Sequence, residues 1–414
     1  MPSFAHLADV HIGATFRDPK LREFNMRAFE QAIDKVIEKK VDFVIIAGDL
    51  FHVNIPDMDA VDRAVKKLKQ VQDVQIPMYI IYGSHDYSPI ESSVIDVLTS
   101  AGLFTKVVKA NQAQDGTINL QFTTDEKTGA KIVGLSARKN NMDITFYNQL
   151  NRKSLEQEPG FKVFVYHAAL TEFKPEALSE MASIPLSLFP KGFQYYAGGH
   201  VHRRFEKHIP QYGLFAEPGA LFGTSYTDLE NQEPKGFYLV HFENEKLSKT
   251  EFIPVSVAET EVVKVNVDRQ TAQEAQDTIK RALEKAQVEG RIVLLKVKGE
   301  LKSGKPTDIA FDDIRSRVLE KGAELIFINR SKLTSKQVSE ARVKADSKQE
   351  IEDKVFKEQL QDQNEFSVQL AAQLLKALRE ENIGLTRQQY EEKVRARAMG
   401  VLDSHGVFNE NQQA

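Results

Sequence analysis

Seven residues carry the chemistry this chain is equipped for: Asp9, His11, Asp49, His85, His167, His200 and His202. Six of them stand at or just beyond apolar runs that end in Gly48-Asp49, Ser84-His85-Asp86, Tyr166-His167 or Gly198-Gly199-His200. In Asp9-x-His11 and His200-x-His202 the pairs are two residues apart, so at a strand end both side chains face one way. Carboxylate oxygen with imidazole nitrogen and no sulfur suits manganese, iron or zinc better than magnesium or calcium. A carboxylate such as Asp49 can bridge two ions about 4 Å apart, the spacing that clamps the attacking and leaving oxygens of a phosphate ester. Such a pair also lowers the pKa of a bridging water, so hydroxide is present near pH 7. His6, His208, His241 and His405 lack that setting and read as ordinary core or surface groups.

The elements that must position these residues follow from periodicity. Phe4 to Val10 is a short apolar strand, and 21–40 has helical spacing through Phe24, Ala28, Phe29, Ile33 and Val36. Phe43 to Ala47 is a continuous buried strand ending in Gly48-Asp49, residues 57–72 form a second helix, and Ile80-Ile81-Tyr82 spills into Gly83-Ser84-His85-Asp86. A helix follows over Val94 to Leu98. Alternating buried strands and helices argue a mainly parallel sheet with helices outside it. From 103 to 138 the spacing changes to short strands at 104–109, 118–123 and 131–135. Strands at 161–167, around 195–199, through Phe215 and over Phe237–Phe242 are expected to complete a second sheet.

At 414 residues two or three domains are expected. A large unit over 1–255 is followed by a small α/β unit over 256–333, with strands near 262–267, 291–297 and 325–328 and helices at 270–288 and 308–321. Its basic residues, Lys280, Arg281, Lys298, Lys302, Lys305, Arg330 and Lys332, are interspersed with acidic ones and read mostly as solvated surface. Residues 334–348 are polar and read as a linker. Two amphipathic helices, 351–378 and a second after Gly384, fill 349–408 and suit docking on a partner.

Composition narrows the setting. The chain is 41% hydrophobic and 28% charged, with net charge −4, so no general attraction to nucleic acid is visible, and a local patch would have to supply it. With no cysteine, disulfides and thiolate metal sites are excluded. The first residues become polar too soon for a signal peptide, and no run reaches the roughly 18 apolar residues of a membrane span. A cytoplasmic protein is expected.

Asp-x-His, Gly-Asp, Gly-x-His-Asp, a lone His and Gly-His-x-His together resemble the signature of calcineurin-like metallophosphoesterases. Asp9-Val10-His11-Ile12-Gly13 and Gly48-Asp49-Leu50-Phe51-His52 are similar to the SbcD-type nucleases of the meiotic-recombination-eleven family. The motif resemblance covers residues 9–222, where Glu217 to Leu221 also matches a family segment. In layout it extends over the whole chain. It implies a two-sheet β-sandwich flanked by helices, a small α/β capping domain that binds DNA and a C-terminal helical hairpin that docks an SMC-like ABC ATPase.

Carried over by position, the resemblance implies two Mn2+ per subunit. Asp9, His11 and His202 would take the first, His167 and His200 the second, and Asp49 would bridge. His85 would protonate the leaving oxygen or steady the transition state, Asp86 would orient its ring, and His52 would lie near the scissile phosphate. Ser84 departs from the family, which usually has asparagine there as a ligand of the second metal. Serine is one heavy atom shorter, and a weakened second site is expected.

The function implied is a manganese-dependent nuclease of double-strand-break repair. It would act as a 3′ to 5′ exonuclease on duplex ends and an endonuclease on single-stranded or hairpin DNA, with hydroxide from the dinuclear centre as nucleophile. A homodimer through helices 57–72 and 91–101 is implied as well. The alternative is a DNA-end-binding scaffold whose nuclease is weakened by Ser84. A small-molecule phosphodiesterase is a third reading, for which the added domains have no use.

Overall fold

The chain's computed structural model describes residues 1–14, 18–86, 93–137, 143–335 and 387–404, with five positions between 370 and 378. Two compact units are distinguished. One comprises Met1–Lys264, Ala282–Lys296 and Asp312–Asn329, and the other Val265–Arg281, Val297–Phe311 and Arg330–Ala414.

In the first unit, two six-stranded sheets face each other, as expected. One has the order Lys246–Pro254, Gly236–Glu243, Ser3–Leu7, Phe43–Ala47, Met78–Ile81, Thr105–Lys106. The other runs Phe205–Ile209, Gly213–Glu217, Tyr195–Gly199, Lys162–His167, Lys131–Leu135, Thr123–Thr124. The inner strands of each sheet pair in parallel. The period-2 alternation of each strand decides which layer a side chain enters. Phe4, Phe43, Ile45 and Ile81 meet Val163, Val165, Tyr195 and Ala197 between the sheets. Leu7, Ile46 and Ile80 face outward onto helices Pro19–Glu38 and Met58–Asp73, whose Phe29, Ile33 and Leu68 cover them. Phe164, Tyr166, Tyr196 and Phe215 form the third apolar layer with Phe189 and Phe193.

One sheet assignment is corrected. Phe237–Phe242 lies not in the second sheet but in the first, antiparallel to Ser3–Leu7 with Ser3 opposite His241 and His6 opposite Tyr238. Its alternating pattern fits either sheet. The N-terminal strand needed a second neighbour, and this late strand covers that edge.

The small sheet has Arg291–Leu301 at its centre, between Glu259–Asn266 and Leu325–Ser335, with helices Ala272–Lys285 and Phe311–Glu320. Thr334 and Ser335, expected in the linker, end its last strand. The remainder of 334–348, and most of the expected 351–378 helix, lie outside the described residues. Arg387–Ser404 is helical. No described helix is long and apolar enough to cross a membrane.

His6 shows how tightly the interior is closed. Its ring is fully buried, with Nε2 3.1 Å from the Gly198 carbonyl and Nδ1 2.9 Å from the Tyr195 hydroxyl. Burial holds its pKa down at about 3, against the smaller upward pull of the Gly198 carbonyl. The unfolded chain takes up a proton here below about pH 6.5, while the folded one resists until about 3, so stability is complete above 6.5 and drains as pH falls. The expected loss is about 1.4 kcal/mol per pH unit in that window. A His6→Asn variant should take up about one proton fewer on unfolding at pH 5, read from the pH dependence of urea midpoints.

Candidate metal centre

The parallel strands of both sheets end at the same edge, and each spills a polar residue there. Asp9 follows Ser3–Leu7, Asp49 follows Phe43–Ala47, Ser84 and His85 follow Met78–Ile81, His167 closes Lys162–His167, and His200 follows Tyr195–Gly199. The carboxyl ends of strands are where open α/β sheets hold ligands. Two of the loops are laced together: Asp9 N–H donates to Gly48 O at 3.2 Å, His11 N–H to Asp49 O at 2.9 Å and His52 N–H to Ile12 O at 3.0 Å. Asn25, buried on the first helix, donates to the Val10 carbonyl at 2.9 Å.

The backbone at this edge is strained. Asp9, His11, Asp49 and His200 have φ of 49°, 52°, 52° and 99°, a region L-residues seldom enter. Such conformations persist where the surroundings over-determine them, commonly at functional sites. Glycine makes the close approach possible. A Cβ on Gly48 would stand 2.5 Å from His167 Nδ1, and one on Gly83 would overlap the Asp49 carboxylate.

Among the described residues the donors converge in three groups. Asp9, His11 and His202 bring ligand atoms within 4.8 Å of one another, as do Asp9, Asp49 and His167, and, toward the cleft, His11, His52 and His85. His11 Nε2 and His202 Nε2 stand 3.0 Å apart, and Asp49 Oδ2 is 3.1 Å from His167 Nε2 and 3.6 Å from His11 Nε2. His200 reaches the centre differently. Its N–H donates to both oxygens of Asp9 at 3.0 Å, and its ring centroid lies 5.1 Å from that of His167. Ser84 Oγ donates to Asp49 Oδ2 at 3.3 Å.

Tautomers reveal what the site is built to hold. His167 Nδ1 donates to the Ala47 carbonyl at 2.7 Å, which aims a buried Nε2, with no hydrogen bond of its own, at the two carboxylates. His202 Nδ1 donates to Asp228 Oδ2 at 3.0 Å, turning Nε2 inward, and Thr224 Oγ1 donates to the same carboxylate oxygen at 2.9 Å. A carboxylate behind an inward-facing imidazole is the usual arrangement behind a metal ligand. Nitrogen and oxygen donors aimed at two shared points fit a dinuclear centre of manganese, iron or zinc type.

The charges agree with the geometry. Burial raises Asp49, but His167 and His11 outweigh it and hold the carboxyl well below its ordinary range. Burial alone would lower His167, yet Asp49 and then Asp9 lift it to about 10. Burial also opposes His202, where Asp228 and Asp9 prevail and raise it. His200, lacking such a partner, is pushed down to about 4 by burial and by His167.

One expectation for the neighbouring residues is corrected. Asp86 does not orient His85. Its buried carboxylate accepts from Gly83 N–H at 2.9 Å, Phe51 N–H at 3.1 Å and Leu50 N–H at 3.3 Å, stitching the Asp49 loop to the His85 loop. Burial, then Asp49, push it up to about 6. The His52 carbonyl orients His85 instead, accepting from Nδ1 at 2.6 Å, with the two rings stacked at 4.8 Å. The physical reason is that adjacent residues on a turn point apart. His52 Nδ1 also lies 3.3 Å from His11 Nδ1. A cleft of about 580 Å³ opens over this edge, lined by Asp49, Ser84, His85, His200 and His202.

Asp228 and Thr224 were missed by sequence reasoning, since nothing in Thr224-x-x-x-Asp228 distinguishes it from a helix cap. Glu217, seen only as part of a matching segment, is buried behind the centre, accepts from the Tyr166 hydroxyl at 2.9 Å and is pushed up to about 8 by burial. Asp228→Asn should weaken metal binding about 10- to 100-fold without unfolding the chain. Calorimetric metal titration checks this, and unchanged affinity would remove Asp228 from the centre.

Residues 2–204 match the family model described as calcineurin-like phosphoesterase. The chain is 28% identical over 240 residues to the DNA double-strand break repair protein Mre11 of Methanococcus maripaludis, covering 57% of this chain and 62% of that protein. It is 27% identical over 274 residues to the protein of that name from Methanopyrus kandleri, covering 64% and 60%. With the one from Methanocaldococcus jannaschii it shares 27% identity over 328 residues, covering 78% and 82%. The match thus spans less than two thirds of the length of the first two relatives.

Proposed function

We propose that the chain is a manganese-dependent DNA nuclease of double-strand-break repair, a reading that the match of residues 2–204 to the calcineurin-like phosphoesterase model supports. The observation that carries the reading is the convergence of Asp9, His11, Asp49, His167 and His202 on two points, with His167 Nε2 buried 3.1 Å from Asp49 Oδ2. Asp9, His11 and His202 would hold one ion and His167 and His200 the other, with Asp49 between them. Two such ions supply Lewis-acid polarisation of the phosphoryl group and an activated water. The protein's own part is to hold this geometry and to move a proton. His85, its Nδ1 on the His52 carbonyl, offers Nε2 to the leaving oxygen. His52 keeps that ring in place, and Asp86 keeps the two loops together.

The substrates proposed are duplex ends, cut 3′ to 5′, and single-stranded or hairpin DNA, cut internally. The similarity to double-strand break repair proteins supports DNA as the substrate. The partners proposed are DNA ends, an SMC-like ABC ATPase docked through the C-terminal helices, and a second copy of the chain, working on the chromosome in the cytoplasm. Exposed Ile55, Met58 and Val97 on and beside helices Met58–Asp73 and Val94–Ser100 support the homodimer. The test is a linear duplex labelled at either strand end, incubated with manganese or with chelator. Metal-dependent shortening from the 3′ end is expected. Intact DNA alongside cleaved bis(p-nitrophenyl) phosphate would replace this reading with a small-molecule phosphodiesterase.

The scaffold alternative draws on Ser84, whose hydroxyl is directed to Asp49 where a longer amide would reach the second ion. Ser84→Asn is expected to tighten the second metal site about tenfold or more and to raise activity at limiting manganese. Equal second-site affinities by calorimetry would show that the serine is fully compensated.

A further inference from the structure

The cleft has a second wall that the hydrolytic residues do not form. Directly after His167, strand Ala169–Leu170 pairs with Ser183–Ile184, pinning both ends of the intervening segment. From that segment Pro175, Leu178 and Met181 line the same cleft as Asp49, His85, His200 and His202. Lys174, which by type would be sought as a phosphate contact, is engaged elsewhere. Its Nζ donates to the carbonyls of Ser179 at 2.6 Å and Met181 at 2.7 Å, closing the loop around the turn Glu176–Leu178.

A phosphate group has no use for such a wall, because a hydrated anion gains nothing from an apolar face. The cleft, about 580 Å³, is also the size of a pocket for a whole small molecule, which runs from about 300 to 1,000 Å³. We propose that Leu178 and Met181 seat the nucleobase beside the scissile phosphate, with Lys174 as the positioning residue that holds their loop. A base presents a flat, polarisable face whatever its identity, so contact with it tolerates any sequence. The thioether of Met181 suits that face. The wall thus selects nucleic acid over simple phosphate esters, and this inference rests on the nucleic-acid reading above.

The test compares kcat/KM on a single-stranded oligonucleotide and on a fully abasic strand of equal length and charge, with manganese. The wild-type protein is expected to prefer the base-bearing strand by roughly tenfold, the scale of an apolar pocket contact. In the Leu178→Ala, Met181→Ala double variant the ratio should fall toward one, and in Lys174→Met it should fall likewise. A purely electrostatic role for Lys174 would instead lower both substrates together and keep the ratio. Melting midpoints and metal content confirm that the variants are folded and loaded, and Met181→Gln serves if the double variant is not. An unchanged ratio in all of them overturns the wall. A wild-type protein that cleaves neither strand overturns the nucleic-acid reading beneath it, an outcome distinct from any change of ratio.

Discussion

Asp49→Asn is expected to remove both metals and to lower phosphodiester turnover by roughly 10³-fold, since a metal pair supplies several kcal/mol of charge stabilisation. The substitution keeps the shape and an oxygen for His85 N–H, which Asp49 Oδ1 accepts at 2.8 Å. What it removes is the negative charge at Asp49 Oδ2, which faces both His11 and His167, at 3.6 and 3.1 Å. An amide NH2 placed there would point a donor at His167 Nε2, where a cation should sit. His167 loses the main partner that lifts its pKa to about 10, and burial then drives the ring toward neutrality. Metal content by mass spectrometry and turnover on a simple diester are the paired readouts. Two bound ions in the variant, or turnover within tenfold of wild type, would take Asp49 out of the bridging position. A preserved melting midpoint makes either result a statement about the centre rather than the fold.

How far these residues were legible in advance depends on the kind of constraint on each. Asp9, Asp49, His167 and His200 stand at the ends of buried strands, so the apolar run that makes the strand also announces the polar residue after it. Strand ends of two different sheets share one edge because the chain winds both in parallel, and that convergence was readable from repetition alone. Asp228 was invisible, because it acts through one hydrogen bond to a histidine 26 positions away. Asp86 and His85 were paired wrongly because they are neighbours in sequence, whereas a carbonyl 33 positions away holds the ring. The strand Gly236–Glu243 was placed in the wrong sheet for a related reason. Alternation specifies a buried face but not a partner, and its partner was set by the edge that Ser3–Leu7 left open.

His85→Gln should separate proton transfer from metal binding. If His85 protonates the departing oxygen, its loss costs about 10²- to 10⁴-fold in kcat on DNA, where the leaving group is a strongly basic alkoxide. On bis(p-nitrophenyl) phosphate the leaving phenolate departs without a proton, and the same variant should lose less than about tenfold. Metal affinity should be unchanged, because the ring meets the centre from the cleft side and its Nδ1 is already held by the His52 carbonyl. Equal losses on the two substrates would assign His85 to transition-state charge or to substrate placement. A weaker metal titration would make it a ligand, and the stacked pair it forms with His52 would then be part of the metal shell. Only the unequal loss, with both metals in place, is what a general acid on the far side of the cleft produces.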